Sequence, residues 1–242
     1  MNAIKAVNLT KKYKQVIAVN NLNLEIKKGE LFSLLGINGA GKTTTVKMFS
    51  CLTKPTSGDC FVGGYSVVTE QAKVKPIIGV SPQETAVAPN LTVKENLELI
   101  CGIHSFTKEK TKGKVHAMTQ QFCLQEVLGK KAGKLSGGWQ RRVSIAMALI
   151  CEPDILFLDE PTLGLDVIAR SELWDIIRSL KGIVTVILTT HYMDEAEALS
   201  DRIGIMKSGK LLYTGSASNL LDITGTEHFE NAFIALIKEA TP

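Results

Sequence analysis

The sequence predicts an α/β protein in which a mostly parallel sheet is assembled from both ends of the chain around a helical block. Three observations predict it. "LFSLL", residues 31–35, runs at once into a glycine-rich loop and a helical pattern. "DILFLD" and "GIVTVILTT" are strongly apolar strands separated by the amphipathic "VIARSELWDIIRSL"; such strand–helix–strand alternation implies parallel neighbours in a buried sheet. From Leu91 to about Ile150 the apolar spacing changes to three and four residues, the helical period. The 242 residues suffice for one large α/β domain or two small ones, and no low-complexity linker divides them. Residues 1–242 are therefore read as one unit, with a core from 1–83 and 152–242 and a helical subdomain from 84–151.

Taken in order, "IKAVNL", "LNLEI", "LFSLL" and "DCFVGG" alternate apolar and polar residues, and short connections make some of them antiparallel. "LTVKENLELICGI" opens a helix with Thr92 three residues before Glu95, a capping-box pattern. "KVHAMTQQFCLQEV" and "GWQRRVSIAMALI" follow as helices. "RIGIMKSGKLLYTG" reads as a hairpin around Ser208-Gly209, and "EHFENAFIALIKEA" as a closing helix.

Composition narrows the function. At 45% hydrophobic and 21% charged residues, the chain has the balance of a soluble globular protein. No apolar run approaches the ~18 residues of a membrane span, and the start lacks a charged-then-apolar signal. The expected location is cytoplasmic, with any membrane role reached through a partner. A net charge of +4 is too mild to indicate nucleic acid. Five dispersed cysteines without a C-x-x-C pair point to reduced thiols rather than a zinc site. The lysines of "HSFTKEKTKGKVH" read as a solvated face, with a docking patch for acidic groups as the alternative.

The chemistry lies in the loop after "LFSLL". Gly36, Gly41, Lys42 and Thr43 fit G-x-x-x-x-G-K-[ST], with Ile37, Asn38, Gly39 and Ala40 between them and Thr44 following. Glycines let backbone N–H groups turn inward around phosphates, and the helix starting near Lys42 aims its free N–H groups at the same anion. Lys42 reaches the outer phosphates, and the Thr43 hydroxyl suits Mg²⁺. "ILFLDEPT" delivers Asp159 to a strand's carboxyl end as a second Mg²⁺ contact. Glu160 has no evident structural need to be acidic, and reads as the general base that polarises a water. A second helix start, "LSGG" from Leu135 through Ser136, Gly137 and Gly138, also suits an anion, with Ser136 as its cap.

"GINGAGKT", "LSGGWQRR" and "ILFLDEP", in this order and spacing, resemble the ATP-binding subunits of ABC transporters over nearly the whole chain. The resemblance implies a phosphate-loop ATPase of ABC type with an antiparallel β subdomain and an inserted helical one. It implies a head-to-tail dimer of identical or closely related chains, in which Leu135–Gly138 of one covers the Mg²⁺-ATP held by Lys42 of the other. It also implies transmembrane permease subunits and a place on the cytoplasmic face of a membrane. By the same resemblance, Gln83 senses Mg²⁺ and the attacking water, His191 contacts the γ-phosphate and positions the base, and Asp166 links the two sites across the dimer. Tyr13 reads equally as a ring stacked on adenine or as a strand-edge residue. Trp139 stands where the family usually has glutamine. The branch most resembled is that of drug, antibiotic, lipid and polysaccharide exporters. The rival expectation, an ABC-type ATPase of nucleic acid or ribosomes, calls for heptad insertions, zinc modules or a second such domain, none of which the sequence contains.

Overall fold

The computed structural model describes residues 1–239. Its strands are β1 (Asn2–Tyr13), β2 (Val16–Lys27), β3 (Leu31–Leu35), β4 (Ser57–Val62), β5 (Tyr65–Ser66), β6 (Ile78–Ser81), β7 (Ile155–Asp159), β8 (Thr185–Thr190), β9 (Arg202–Lys207) and β10 (Lys210–Gly215). They form two sheets. One is antiparallel, in the order β2-β1-β4-β5; the other runs β10-β9-β3-β8-β7-β6. In the second sheet β9, β3, β8, β7 and β6 pair in parallel, and only the β9–β10 hairpin is antiparallel.

The central strands β3, β7 and β8 are buried at every position, which is why β7 and β8 read as strongly apolar; β3, read as alternating, instead buries Ser33 along with its apolar residues. Helices cover both faces: α1 (Lys42–Phe49), the short α2 (Gln71–Val74), α3 (Val93–Ile103), α4 (Lys108–Gln121), α5 (Gly137–Leu149), α6 (Val167–Ser179), α7 (Met193–Leu199), α8 (Ala217–Thr224) and α9 (Phe229–Glu239). The two sides of the sheet have separate cores. One joins the antiparallel sheet and α1 through Phe32, Phe49 and Phe157, with the Phe49 and Phe157 rings 6.5 Å apart. The other joins α3, α4 and α5 to the sheet through Leu97, Phe122, Ile145 and Leu156. Among the described residues no helix is long and apolar enough to cross a membrane.

The capping box of α3 forms as expected: the Glu95 amide donates to Thr92 Oγ1, and the Thr92 amide donates to Glu95 Oε2. Three sequence expectations need correction. The helix read from "KVHAMTQQFCLQEV" stops at Gln121; Cys123 takes a positive φ of 52°, and Gln125–Val127 forms a separate 3₁₀ turn. In "GIVTVILTT" the strand starts only at Thr185, because Gly182 turns the chain with φ 78°. Ser136 occupies the N-cap position of α5 with extended backbone, yet its hydroxyl makes no capping bond.

Candidate active site

The register of the parallel strands decides where the site lies. Leu35 of β3 pairs with Thr190 of β8, and Asp159 of β7 pairs with Thr189. The residues that follow these strands therefore emerge along one edge of the sheet: the glycine loop, Glu160 and His191. Ligands collect at this carboxyl edge in open α/β sheets. Here the edge opens into a cleft of about 770 Å³, lined by the loop from Asn38 to Thr44, Gln83, Glu160 and His191, and on one side by Val16, Ile17 and Ala18.

The loop holds its shape by close backbone packing. Gly41 has φ 105°, and a Cβ there would lie 2.5 Å from the Ala18 carbonyl oxygen; only glycine fits such an approach. A Cβ on Gly36 would lie 2.4 Å from the Met206 carbonyl oxygen. Lys42 is buried, and its Nζ donates to the Gly36 carbonyl oxygen at 2.7 Å and to that of Ile37 at 3.4 Å. It also stands 3.3 Å from Glu160 Oε1. Its three donors are thus spent on the loop and on the carboxylate beside it.

Glu160 is 7% exposed at its side chain and bridges two side chains, with Oε1 3.3 Å from Lys42 Nζ and Oε2 2.8 Å from His191 Nδ1. This corrects the expectation that nothing structural requires an acid here. Its backbone is also constrained: φ is 49°, uncommon for a non-glycine residue. The Glu160 amide holds this conformation by donating to the Thr189 carbonyl at 3.1 Å and to its Oγ1 at 3.0 Å. Asp159 Oδ1 accepts from Thr43 Oγ1 at 3.0 Å and from Thr189 Oγ1 at 2.5 Å. A carboxylate and a hydroxyl thus lie side by side at the mouth of the loop.

Several expected residues lie elsewhere. Leu135, Ser136, Gly137 and Gly138 do not line this cleft; they open α5, where Ser136 and Gly137 are exposed. Asp166 caps α6, accepting from the amides of Ile168 and Ala169 at 3.0 and 2.9 Å. Tyr13 is also absent from the cleft wall: the Lys11 ammonium sits 4.9 Å from its ring centroid, and aliphatic Val16 and Ile17 occupy the wall instead. The Arg142 guanidinium lies 4.9 Å from the Trp139 ring, which packs partly buried against the helical core. Sequence reasoning missed two contributors. Thr189 fixes both Asp159 and Glu160 but looks like any strand threonine, and Arg141 of α5 holds the backbone around Gln83.

A glycine-loop lysine, a strand-end aspartate beside a threonine hydroxyl, and an adjoining glutamate on a parallel sheet define a phosphate-loop nucleotide-binding protein. The model of the ABC transporter family matches residues 19–163. The chain is 40% identical over 243 residues to the probable multidrug ABC transporter ATP-binding protein YbhF of Escherichia coli (strain K12), covering 98% of this chain and 42% of that protein. It is 38% identical over 238 residues to the linearmycin resistance ATP-binding protein LnrL of Bacillus subtilis (strain 168), covering 98% and 76%. A dimeric structure of the ATP-binding cassette MJ0796, in a post-hydrolysis state bound to ADP and Pi, superposes with a TM-score of 0.80 at 30% identity, over 88% of this chain and 98% of that one. The chain belongs to the ABC transporter family, as one of its ATP-binding cassettes. It spans about two fifths of the length of YbhF.

Proposed function

We propose that this chain hydrolyses ATP to power an export-type ABC transporter, working as one of two cassettes that close on ATP beside separate membrane subunits. The observation that carries this reading is the convergence of Lys42, Asp159, Glu160 and His191 on one glycine loop, while Ser136, Gly137 and Gly138 take no part in lining that cleft and Ser136 and Gly137 are exposed. In the proposed dimer that turn meets the γ-phosphate held by the other chain, so C₂ symmetry completes two equivalent sites. The resistance proteins among its relatives favour drug-like cargo, and the permeases would anchor the chain at the cytoplasmic membrane face. Within the chain, residues 1–83 and 152–242 would act as the ATP-binding core and 84–151 as the helical unit.

The oxygen donors of Thr43 and Asp159 suit a hard cation such as Mg²⁺. Among the described residues no group of three or more His, Cys, Asp or Glu could hold a metal, so phosphate oxygens and water would complete its shell, with Gln83 at the edge of the cleft. Such an ion would neutralise phosphate charge. When ATP enters, Lys42 exchanges its loop carbonyls and Glu160 for phosphate oxygens, as charge stabilisation requires. Glu160 is thereby released to draw a proton from water, with His191 Nδ1 holding its second oxygen. Tyr13 would need to swing inward to stack on adenine, and Asp166 would act from the start of α6.

The test is Glu160→Gln. It should bind ATP normally, lose hydrolysis by ~10² or more, about 3 kcal/mol of barrier, and form a stable dimer on ATP that light scattering detects. Hydrolysis at the parent's rate would remove Glu160 from the base role, and a strictly monomeric ATP-loaded variant would remove the sandwich.

A further inference from the structure

Residues 81–85, the end of β6 and the loop that carries Gln83, are fastened to α5 at three points. Arg141 donates from Nη1 to the Pro82 carbonyl oxygen at 2.6 Å and from Nη2 to the Gln83 carbonyl oxygen at 2.5 Å. The Ser81 and Ser144 hydroxyls meet at 3.0 Å in the interior, and Thr85 Oγ1 donates to Gln140 Oε1 at 3.4 Å. Gln140 in turn donates from Nε2 to the Leu135 carbonyl oxygen at 3.1 Å, reaching back to the turn that starts α5. Arg141 is 5% exposed and its two hydrogen bonds are part-buried, so the cation is held to the loop with little freedom and its charge-assisted bonds are costly to lose. A planar guanidinium fixes two successive carbonyls in a way that a single ammonium does not.

We propose that Arg141 is a positioning residue for ATP hydrolysis, fixing Gln83 at the cleft and making it move as one body with the Ser136–Gly138 turn. The inference rests on the ATPase reading. Its consequence is that contact of the turn with the partner's nucleotide alters the placement of Gln83 in the chain's own site. A displacement on the order of 1 Å at such a residue costs up to 10²-fold in rate while leaving substrate binding intact.

Arg141→Met keeps the aliphatic stem and removes both donors. Relative to the parent dimer, the variant should bind a fluorescent ATP analogue within about twofold and lose about tenfold in kcat. Its Hill coefficient for ATP should fall towards one, and its half-saturating Mg²⁺ concentration should rise. Arg141→Lys, with one donor able to reach one carbonyl, should lie between the two, and it carries the test by itself if Arg141→Met fails to fold. Parent-like kcat and Mg²⁺ dependence in the folded variants would overturn the proposal, as would a loss of kcat matched by an equal loss of ATP binding. A parent chain that does not hydrolyse ATP would instead sink the functional reading.

Discussion

The starts of α1 and α5 are the same kind of object, a helix opening on a glycine turn, yet they are left in opposite states. At α1 the structure closes on itself: Lys42 binds the carbonyls of Gly36 and Ile37 and stands against Glu160, with the Lys42 and Glu160 side chains buried. At α5 the turn is exposed, and Ser136 makes no capping bond. The first four N–H groups of any helix lack internal partners. Evidently one start is built as a finished pocket with an internal stand-in for its ligand's charges, and the other as an open face. A chain with one finished half and one open half has the form expected of a symmetric dimer with sites at the seam.

The largest effect that bears on this contrast is that of Lys42→Ala. It should weaken ATP binding tenfold or more, about 1.4 kcal/mol, by removing the cation that reaches the phosphates. The same change should cost the nucleotide-free protein about 3 kcal/mol, because buried Glu160 loses its ammonium partner. Titration with a fluorescent nucleotide and urea unfolding measure the two effects; unchanged values in both would show that the loop is not closed on itself. Next comes a paired measurement at two helix starts. Thr92→Ala breaks a formed capping box and should cost about 1 kcal/mol. Ser136→Ala breaks no capping bond and should stay within about 0.5 kcal/mol while slowing hydrolysis in the dimer. Equal destabilisation by the two would mean that the Ser136 hydroxyl serves its own helix.

The smallest effect concerns Glu195 on α7, fully buried, with Oε1 accepting from Trp174 Nε1 at 3.0 Å. Burial pushes its carboxyl above the ordinary value of 4.5, the hydroxyls of Thr190 and Thr162 and the Trp174 indole oppose the rise, and nearby Glu160 adds to it. The folded state then holds the proton more tightly than the unfolded chain, so stability falls as pH rises from the unfolded value through the raised folded one. Glu195→Gln should be more stable than the parent at pH 8, by less than about 1 kcal/mol, and equal to it at pH 4. Melting curves that show the same difference between variant and parent at both pH values would count against this account.

The legible parts of the molecule were those written locally. Spacing alone marked the glycine loop, because a tight turn with positive φ followed by a helix needs glycine at fixed positions, as Gly41 illustrates. The Thr92 box and the Ser208-Gly209 hairpin were legible for the same reason. Strongly apolar runs marked β7 and β8 as buried parallel strands, whereas "LFSLL" reads as alternating and only the fold shows β3 buried at every position. The stop of α4 at Gln121 escaped this reading, since the apolar pattern continues through Phe122 and Leu124, both of which stay buried after the helix has ended.

By itself, then, the sequence determined the fold class, the phosphate loop and the acidic pair at the end of β7, because each depends on neighbours within a few residues. Only the tertiary structure decided that Glu160 sits between Lys42 and His191, that Arg141 grips the backbone around Gln83, and that Tyr13 stands outside the cleft wall. Those pairings join residues 31 to 118 positions apart; register across parallel strands brings Glu160 beside His191, and the packing of α5 on the loop after β6 brings Arg141 to Gln83. No spacing in a single sequence encodes that register, because it is fixed by how the sheet and its helices pack as a whole.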